Sequence, residues 1–278
     1  DFHPTRQYRS AIIVRGWLFE TLQSVPDWQR RVAAINNEIP IEPPVMEIMA
    51  FLVYRIIGAE HLWIPRMFSV VFWLVGAAFL YALTRDLLSS DAALFSTAFY
   101  LFVPFGIPAS KSFQPDPLMV CAFVASIFAI SRYHTQPSMS RLVAAAALSA
   151  LAIFVKPVCL FTIFAAFISA NITIEGFRKT LTTPSLVLFS TISLLPASVF
   201  YLGRIFIFGF PTDHIISFMP RLYFLYEFWS GWIHQINVVI GHIFLIAALL
   251  GMLLFPARLP KALILGLWIG YILFGLAF

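Results

Sequence analysis

Apolar positions run in long blocks along most of the chain, broken by short polar stretches that carry Pro, Gly, Lys or Arg. The blocks lie near residues 62–84, 91–107, 117–132, 142–155, 157–174, 184–202, 236–255 and 262–278. Most are about 17 to 23 residues long, enough at 1.5 Å per residue to cross a hydrocarbon core of roughly 30 Å. Backbone groups in lipid have to be satisfied within their own segment, so the pattern predicts eight transmembrane helices. The fourth and fifth blocks are parted only by Lys156-Pro157, which reads as a tight hairpin at one membrane face or as a partly re-entrant element.

Ahead of the first block the pattern changes. In "TRQYRSAIIVRGWLFETLQS", residues 5–24, apolar and charged positions alternate at roughly helical spacing, as in an amphipathic helix lying along a membrane surface. Trp17, Trp28 and Trp63 suit that depth. Residues 203–235, with "YFLYEFWSGW", read as a second interfacial element. The predicted fold is all-α: a polytopic transmembrane helix bundle with interfacial amphipathic helices in its first outer loop. Residues 1–61 form that loop, and residues 62–278 form the helical membrane domain. The chain opens at Asp1 and stops at Phe278 inside an apolar run, so a preceding first helix and a C-terminal part are expected beyond it.

Composition agrees and narrows the class. With 60% hydrophobic and 11% charged residues and a mean hydropathy of +0.88, the 278 residues lie outside the soluble range. The net charge of +5 is spread singly at the ends of apolar runs, which fits anionic headgroups or phosphates and excludes a nucleic-acid patch. Cys121 and Cys159 both fall inside apolar segments and read as small hydrophobes rather than ligands or a disulfide.

Short loops set the orientation, because Lys and Arg accumulate on the cytoplasmic side. "TRDLLSSD", "SRYHTQPSMSR", "EGFRKTLTTP" and "PARLPK" are rich in both; the opposite short loops carry only Lys111 and Lys156. Residues 1–61 and 203–235 are then outside the cytoplasm. Of the thirteen acids, Asp86, Asp91 and Glu175 alone fall on the inner side.

Within the eight runs the one ionisable group clear of the ends is His242. A carrier keeps such groups near mid-membrane, together with a repeated half and broken helices. Here they gather at the outer helix ends instead: Asp1, His3, Arg6, Lys111, Asp116, Lys156, Arg204 and Arg221. The distribution points to chemistry at the outer surface, with a multispan carrier or flippase of a lipid-linked substrate as the alternative and a non-catalytic envelope scaffold as a third reading.

Each motif also has a plain structural meaning. Asp116 before Pro117 reads equally as a helix N-cap with proline at the first helical position. Lys156 reads as a lysine reaching out to the headgroups. "EIPIEPPVMEIM" serves as a rigid loop leading into an amphipathic helix, Asp213-His214 as loop polarity without a third metal ligand, and His242 as a hydrogen-bonded packing residue.

Taken in order, an acid opening the outer loop, a Pro-Pro loop, "RMFSVVFWLVGAAFLYALTRDL", "QPDPLM" and "VKP" form a recognisable series. It resembles the superfamily C membrane glycosyltransferases that use polyprenyl-phosphate sugars, the group that includes the dolichyl-phosphate-mannose protein mannosyltransferases and the bacterial aminoarabinose transferase of lipid A. The resemblance covers most of the chain. It implies that Asp1 matches the first-loop acid, the catalytic base, and that Asp116 matches the second outer-loop acid, which orients acceptor or donor phosphate. It makes His3, Arg6, Glu42, Lys111, Lys156, Arg204 and Arg221 candidates for holding the lipid phosphate and sugar. Two departures stand out: Phe2 and His3 follow Asp1 where relatives often have a second acid, and Glu42 precedes the Pro pair where some have Lys.

The implied reaction is transfer of a sugar from a polyprenyl-phosphate donor to a hydroxyl of a lipid, glycan or protein, with inversion. The membrane would be the bacterial inner membrane and the active site would face away from the cytoplasm. The pattern fixes no cofactor: an acid and a histidine beside a phosphate could ligate a divalent cation such as Mg²⁺ or act unaided.

Overall fold

A computed structural model gives the fold, and it describes residues 3–22, 24–35, 40, 42–208, 219–254 and 258–277. Every regular element among these is helical. The first three, α1 (Pro4–Thr21), α2 (Asp27–Ile35) and α3 (Val45–Ile57), precede the long apolar helices. Then come α4 (Trp63–Leu87), α5 (Ser90–Phe102), the short α6 (Gly106–Ser110), α7 (Asp116–Thr135), α8 (Met139–Val155), α9 (Cys159–Glu175) and the short α10 (Phe177–Thr182). They are followed by α11 (Pro184–Phe208), a 3-10 turn at Pro220–Phe224, α12 (Tyr226–Val239), α13 (His242–Leu254) and α14 (Arg258–Ala277). The chain is a multi-pass helical membrane protein.

Local chemistry sets several boundaries. Ser89 and Ser138 cap α5 and α8 by accepting from the backbone N–H of Ala92 and Arg141. Gly58 ends α3 at φ 79° and Gly176 ends α9 at φ 82°, left-handed conformations in which a Cβ is strained. The turn predicted at Lys156-Pro157 is there, closed by hydrogen bonds from Cys159 N to the Lys156 carbonyl and from Leu160 N to the Pro157 carbonyl.

The predicted runs differ in how they are realised. By length and composition, α4, α7, α11 and α14 can each cross a membrane, whereas α8 and α9 are apolar but only 17 residues long. The run 91–107 stops as a helix at Phe102, two residues before Pro104. The run 236–255 is not one helix: α12 and α13 meet at 89°, with Gly241 at φ 86° in the break. His242 is the first residue of α13, and its Nε2 lies 3.1 Å from the Ile233 carbonyl oxygen.

Two cores hold the bundle. The larger gathers α7, α8, α9, α11 and α14 around Ile130, Ala146, Ile163 and a stacked Phe167–Phe189 pair with ring centroids 3.9 Å apart. Small residues let the helices close up there. Along α14, Gly266 and Gly270 touch the backbone of α9. The second core joins α1, α3, α4, the start of α7 and the end of α8 through Val14, Leu18, Met46, Tyr54, Phe113 and Val155. Helix α1 is therefore packed into the bundle on one side, whereas α2 buries no residue and leaves Trp28, Val32 and Ile35 exposed. Both cysteines are buried and unpaired.

The bundle has two polar ends. At one, Asp86 from α4 meets Arg132 from α7 at 3.0 Å. At the other, the start of α7 faces the end of α8, and there the candidate site lies.

Candidate active site

Asp116 occupies the first turn of α7, flanked by Pro115 and Pro117. It is inside the helix rather than at the cap position, and its side chain turns to the neighbouring helix end. Lys156, the residue that terminates α8, donates from Nζ to Asp116 Oδ1 at 2.7 Å. The lysine is only 8% exposed, so it does not reach for the headgroups; it points into the protein. Arg6 of α1 approaches Asp116 Oδ2 with Nη1 at 3.8 Å, and that oxygen, buried, has no hydrogen-bond partner among the described residues. Three segments distant in sequence thus meet at one carboxylate.

Beside this triad is a cavity of about 130 Å³, whose walls include Arg6, Arg9, Ser10, Glu42, Glu47 and Pro115. The α1 wall follows from helical spacing: Arg6, Arg9, Ser10 and Ile13 are at i, i+3, i+4 and i+7 and share one face. The opposite wall is the Pro43-Pro44 segment and the first turn of α3, which contribute Glu42 and Glu47. A basic wall faces an acidic one.

Both acids are held above the ordinary carboxylate range. For Glu42 burial is the main cause; Lys156 pulls the value down, Asp116 pushes it up, Arg6 lowers it and Glu47 raises it. For Glu47 burial again dominates, opposed by the hydrogen bond from Ser10 and by one from the backbone of Glu47 itself. The bond from Ser10 is short, with Oγ donating to Glu47 Oε1 at 2.5 Å. Glu42 lines the same cavity as Arg6 and feels the charges of Lys156, Asp116 and Arg6, which makes it a neighbour of the triad.

The other sequence candidates are distributed as follows. Asp1, with Asp213 and His214, lies outside the described residues. His3, at φ 42°, is exposed just before α1 and so at the cavity end of that helix. Arg204 of α11 is buried and donates from Nη1 to the carbonyl of Pro40, another residue of the cavity wall. Lys111 follows α6 and is exposed, and Arg221 is exposed in the 3-10 turn. Neither makes a hydrogen bond or ion pair with the cluster among the described residues. Arg9, Ser10 and Glu47 line the cavity but were not singled out from sequence; the i+3 and i+4 spacing from Arg6 could have found the first two.

For a divalent cation the described residues offer no ligand group: no three His, Cys, Asp or Glu side chains among them are gathered as ligands, and Asp116 is already neutralised by Lys156. What the cluster offers is a fixed carboxylate, an adjacent ammonium and guanidinium, and a small half-enclosed space. Such a set can neutralise a phosphate and hydrogen-bond to hydroxyls.

No curated protein and no solved structure matches the chain. The family model described as dolichyl-phosphate-mannose-protein mannosyltransferase matches residues 41–202, a stretch that contains Glu42, Glu47, Asp116 and Lys156. Since that match spans more than half of the 278 residues, the chain belongs to this family of membrane glycosyltransferases.

Proposed function

We propose that the protein transfers a sugar from a polyprenyl-phosphate donor to an acceptor hydroxyl of a lipid, glycan or protein at the extracytoplasmic face of the bacterial inner membrane, with inversion at the sugar carbon. The observation that carries this reading is the meeting of Asp116, Lys156, Arg6 and Glu42 beside one cavity. In this reading residues 1–61 are the first outer loop and residues 62–278 the membrane domain.

The acceptor oxygen attacks the anomeric carbon as the bond from that carbon to the phosphate oxygen breaks. Its proton passes to a carboxylate, assigned to Asp1, a service typically worth ~10² to 10⁴ in rate. Polyprenyl phosphate departs with an added negative charge. Arg6 and Lys156 meet that charge in this reading, with His3, Lys111, Arg204 and Arg221 as further candidates around the donor. Cations fixed by packing do this without reorganising during the reaction, which is where preorganised electrostatics gains most. Asp116 orients these cations and, through them, the acceptor or the donor phosphate.

The test is transfer by the full-length protein in liposomes, using polyprenyl phosphates that carry different sugars. Wild type should transfer at least one sugar; Asp1→Asn and Asp116→Asn should abolish transfer while expression and folding persist. Retention of full activity by both variants would exclude the reading.

A further inference from the structure

One buried acid at the cavity is not needed by this chemistry. Glu47 is 7% exposed and Ser10 is 5% exposed, yet both belong to the cavity wall. A carboxyl group withdrawn from water is costly unless its oxygens are paired. Ser10 supplies one partner, Oγ to Oε1 at 2.5 Å, and thereby fixes the rotamer of the carboxyl that stands in the wall. The backbone N–H of Glu47 itself gives the carboxylate a further hydrogen bond, and a carboxylate has about four acceptor sites in all, so acceptor capacity remains for a ligand in the cavity.

We propose that Glu47, positioned by Ser10, determines donor specificity by accepting a hydrogen bond from a ring hydroxyl of the lipid-linked sugar. This assignment rests on the transferase reading above. Three features of the site support it. First, the two walls differ in sign, so a ligand with a phosphate at one end and hydroxyl donors at the other fits in one orientation: phosphate toward Arg6 and Arg9, hydroxyls toward Glu42 and Glu47. Second, a cavity of about 130 Å³ is on the scale of a single sugar-sized group. Third, a rigidly held, desolvated acceptor is the kind of group that discriminates: a donor lacking the matching hydroxyl leaves a buried polar atom unpaired.

A purely structural role is the competing explanation, since an acid in the first turn of α3 also favours the helix. Stability would then change and selectivity would not. The decisive measurement is binding rather than turnover. Full-length wild type, Glu47→Gln, Ser10→Ala and Ser10→Thr, each in nanodiscs, are titrated with bare dolichyl phosphate and with dolichyl phosphate carrying mannose, glucose, galactose or N-acetylglucosamine.

Wild type should bind at least one sugar-bearing lipid more tightly than the bare lipid. Glu47→Gln should weaken that lipid roughly 10- to 100-fold and leave bare dolichyl phosphate unchanged. Ser10→Ala should lower the same preference by a smaller factor, and Ser10→Thr should restore it. Equal weakening of bare and sugar-bearing lipids, an unchanged Glu47→Gln, or a wild type indifferent to every sugar would each overturn the assignment. Sugar-selective binding without transfer to any acceptor would instead sink the transferase reading and leave the role of Glu47 in recognition standing.

Discussion

Lys156 and Asp116, forty positions apart, close the end of α8 onto the start of α7 through a 2.7 Å contact from Nζ to Oδ1. The lysine side chain is 11% exposed and the aspartate 27%. Removing either partner strands the other charge in a poorly hydrated place, and for a fully buried pair that typically costs about 3–5 kcal/mol. With the aspartate more than a quarter exposed, the loss here should be smaller.

A double-mutant cycle with Asp116→Asn and Lys156→Met tests the pair. Thermal unfolding in detergent should show each single variant destabilised and the double variant less so than the sum, a coupling on the order of 1–3 kcal/mol. Additive losses would mean that the contact contributes nothing beyond proximity.

The raised acids make stability depend on pH. Glu42 and Glu47 are held above their ordinary values chiefly by burial, so the folded protein binds these protons more tightly than the unfolded chain. Their contribution is fully present below the ordinary carboxylate range and is lost as pH rises through the raised folded values. Wild type minus Glu47→Gln, measured as unfolding midpoints from pH 4 to pH 8, should therefore fall with pH. A difference that rises with pH would show Glu47 to be stabilised in its charged form.

Helices α9 and α14 touch through glycine. A Cβ on Gly270 would lie 2.3 Å from Thr162 Cα, and one on Gly266 2.6 Å from the Ala165 carbonyl oxygen. Backbone cannot move aside as a side-chain tip can, so Gly270→Ala should separate the helices at a cost of about 1–3 kcal/mol. Gly251 of α13 has nothing within 4 Å of its added Cβ. Gly251→Ala should be neutral or gain up to about 1 kcal/mol from helix propensity. Unfolding midpoints of the two variants make the comparison.

Arg15 and Glu60 form a two-pronged pair, with Nε and Nη2 donating to the two carboxylate oxygens at 2.7 and 3.0 Å. The arginine side chain is 44% exposed, and pairs in such surroundings are worth about 0–1 kcal/mol. Arg15→Gln should lower the unfolding midpoint slightly at low ionic strength and scarcely at high salt. A large, salt-independent loss would reveal a structural role for the pair in docking α1 to the segment before α4.

Much of this architecture is legible in the chain. Lipid demands internal hydrogen bonding, so apolar runs become helices, and serine and glycine mark several ends where expected. The turn at Lys156-Pro157 could be read from proline alone. The break at Gly241 could not: a lone glycine before His242 gives little warning within an apolar run, and the 89° angle depends on what α12 and α13 pack against. At the site, Asp116, Lys156, Arg6 and Glu42 were all chosen from sequence, but the inward turn of Lys156 was not foreseeable, because a lysine before proline at a membrane face reads as a surface group. The Ser10–Glu47 contact spans 37 positions and connects α1 with α3; no local pattern predicts it.

The shortness of α8 bears on the setting in which Lys156 works. Seventeen residues rise about 25 Å, less than the roughly 30 Å of a typical hydrocarbon layer. Hydrophobic mismatch of this sign is relieved by local thinning of the bilayer. Acyl chains beside α8 are then drawn in, and the polar surface dips toward the mouth of the cavity. On the proposed function, a donor phosphate travelling in the headgroup layer would reach Arg6 and Lys156 without leaving its leaflet, and lipids with longer chains would hold it farther away.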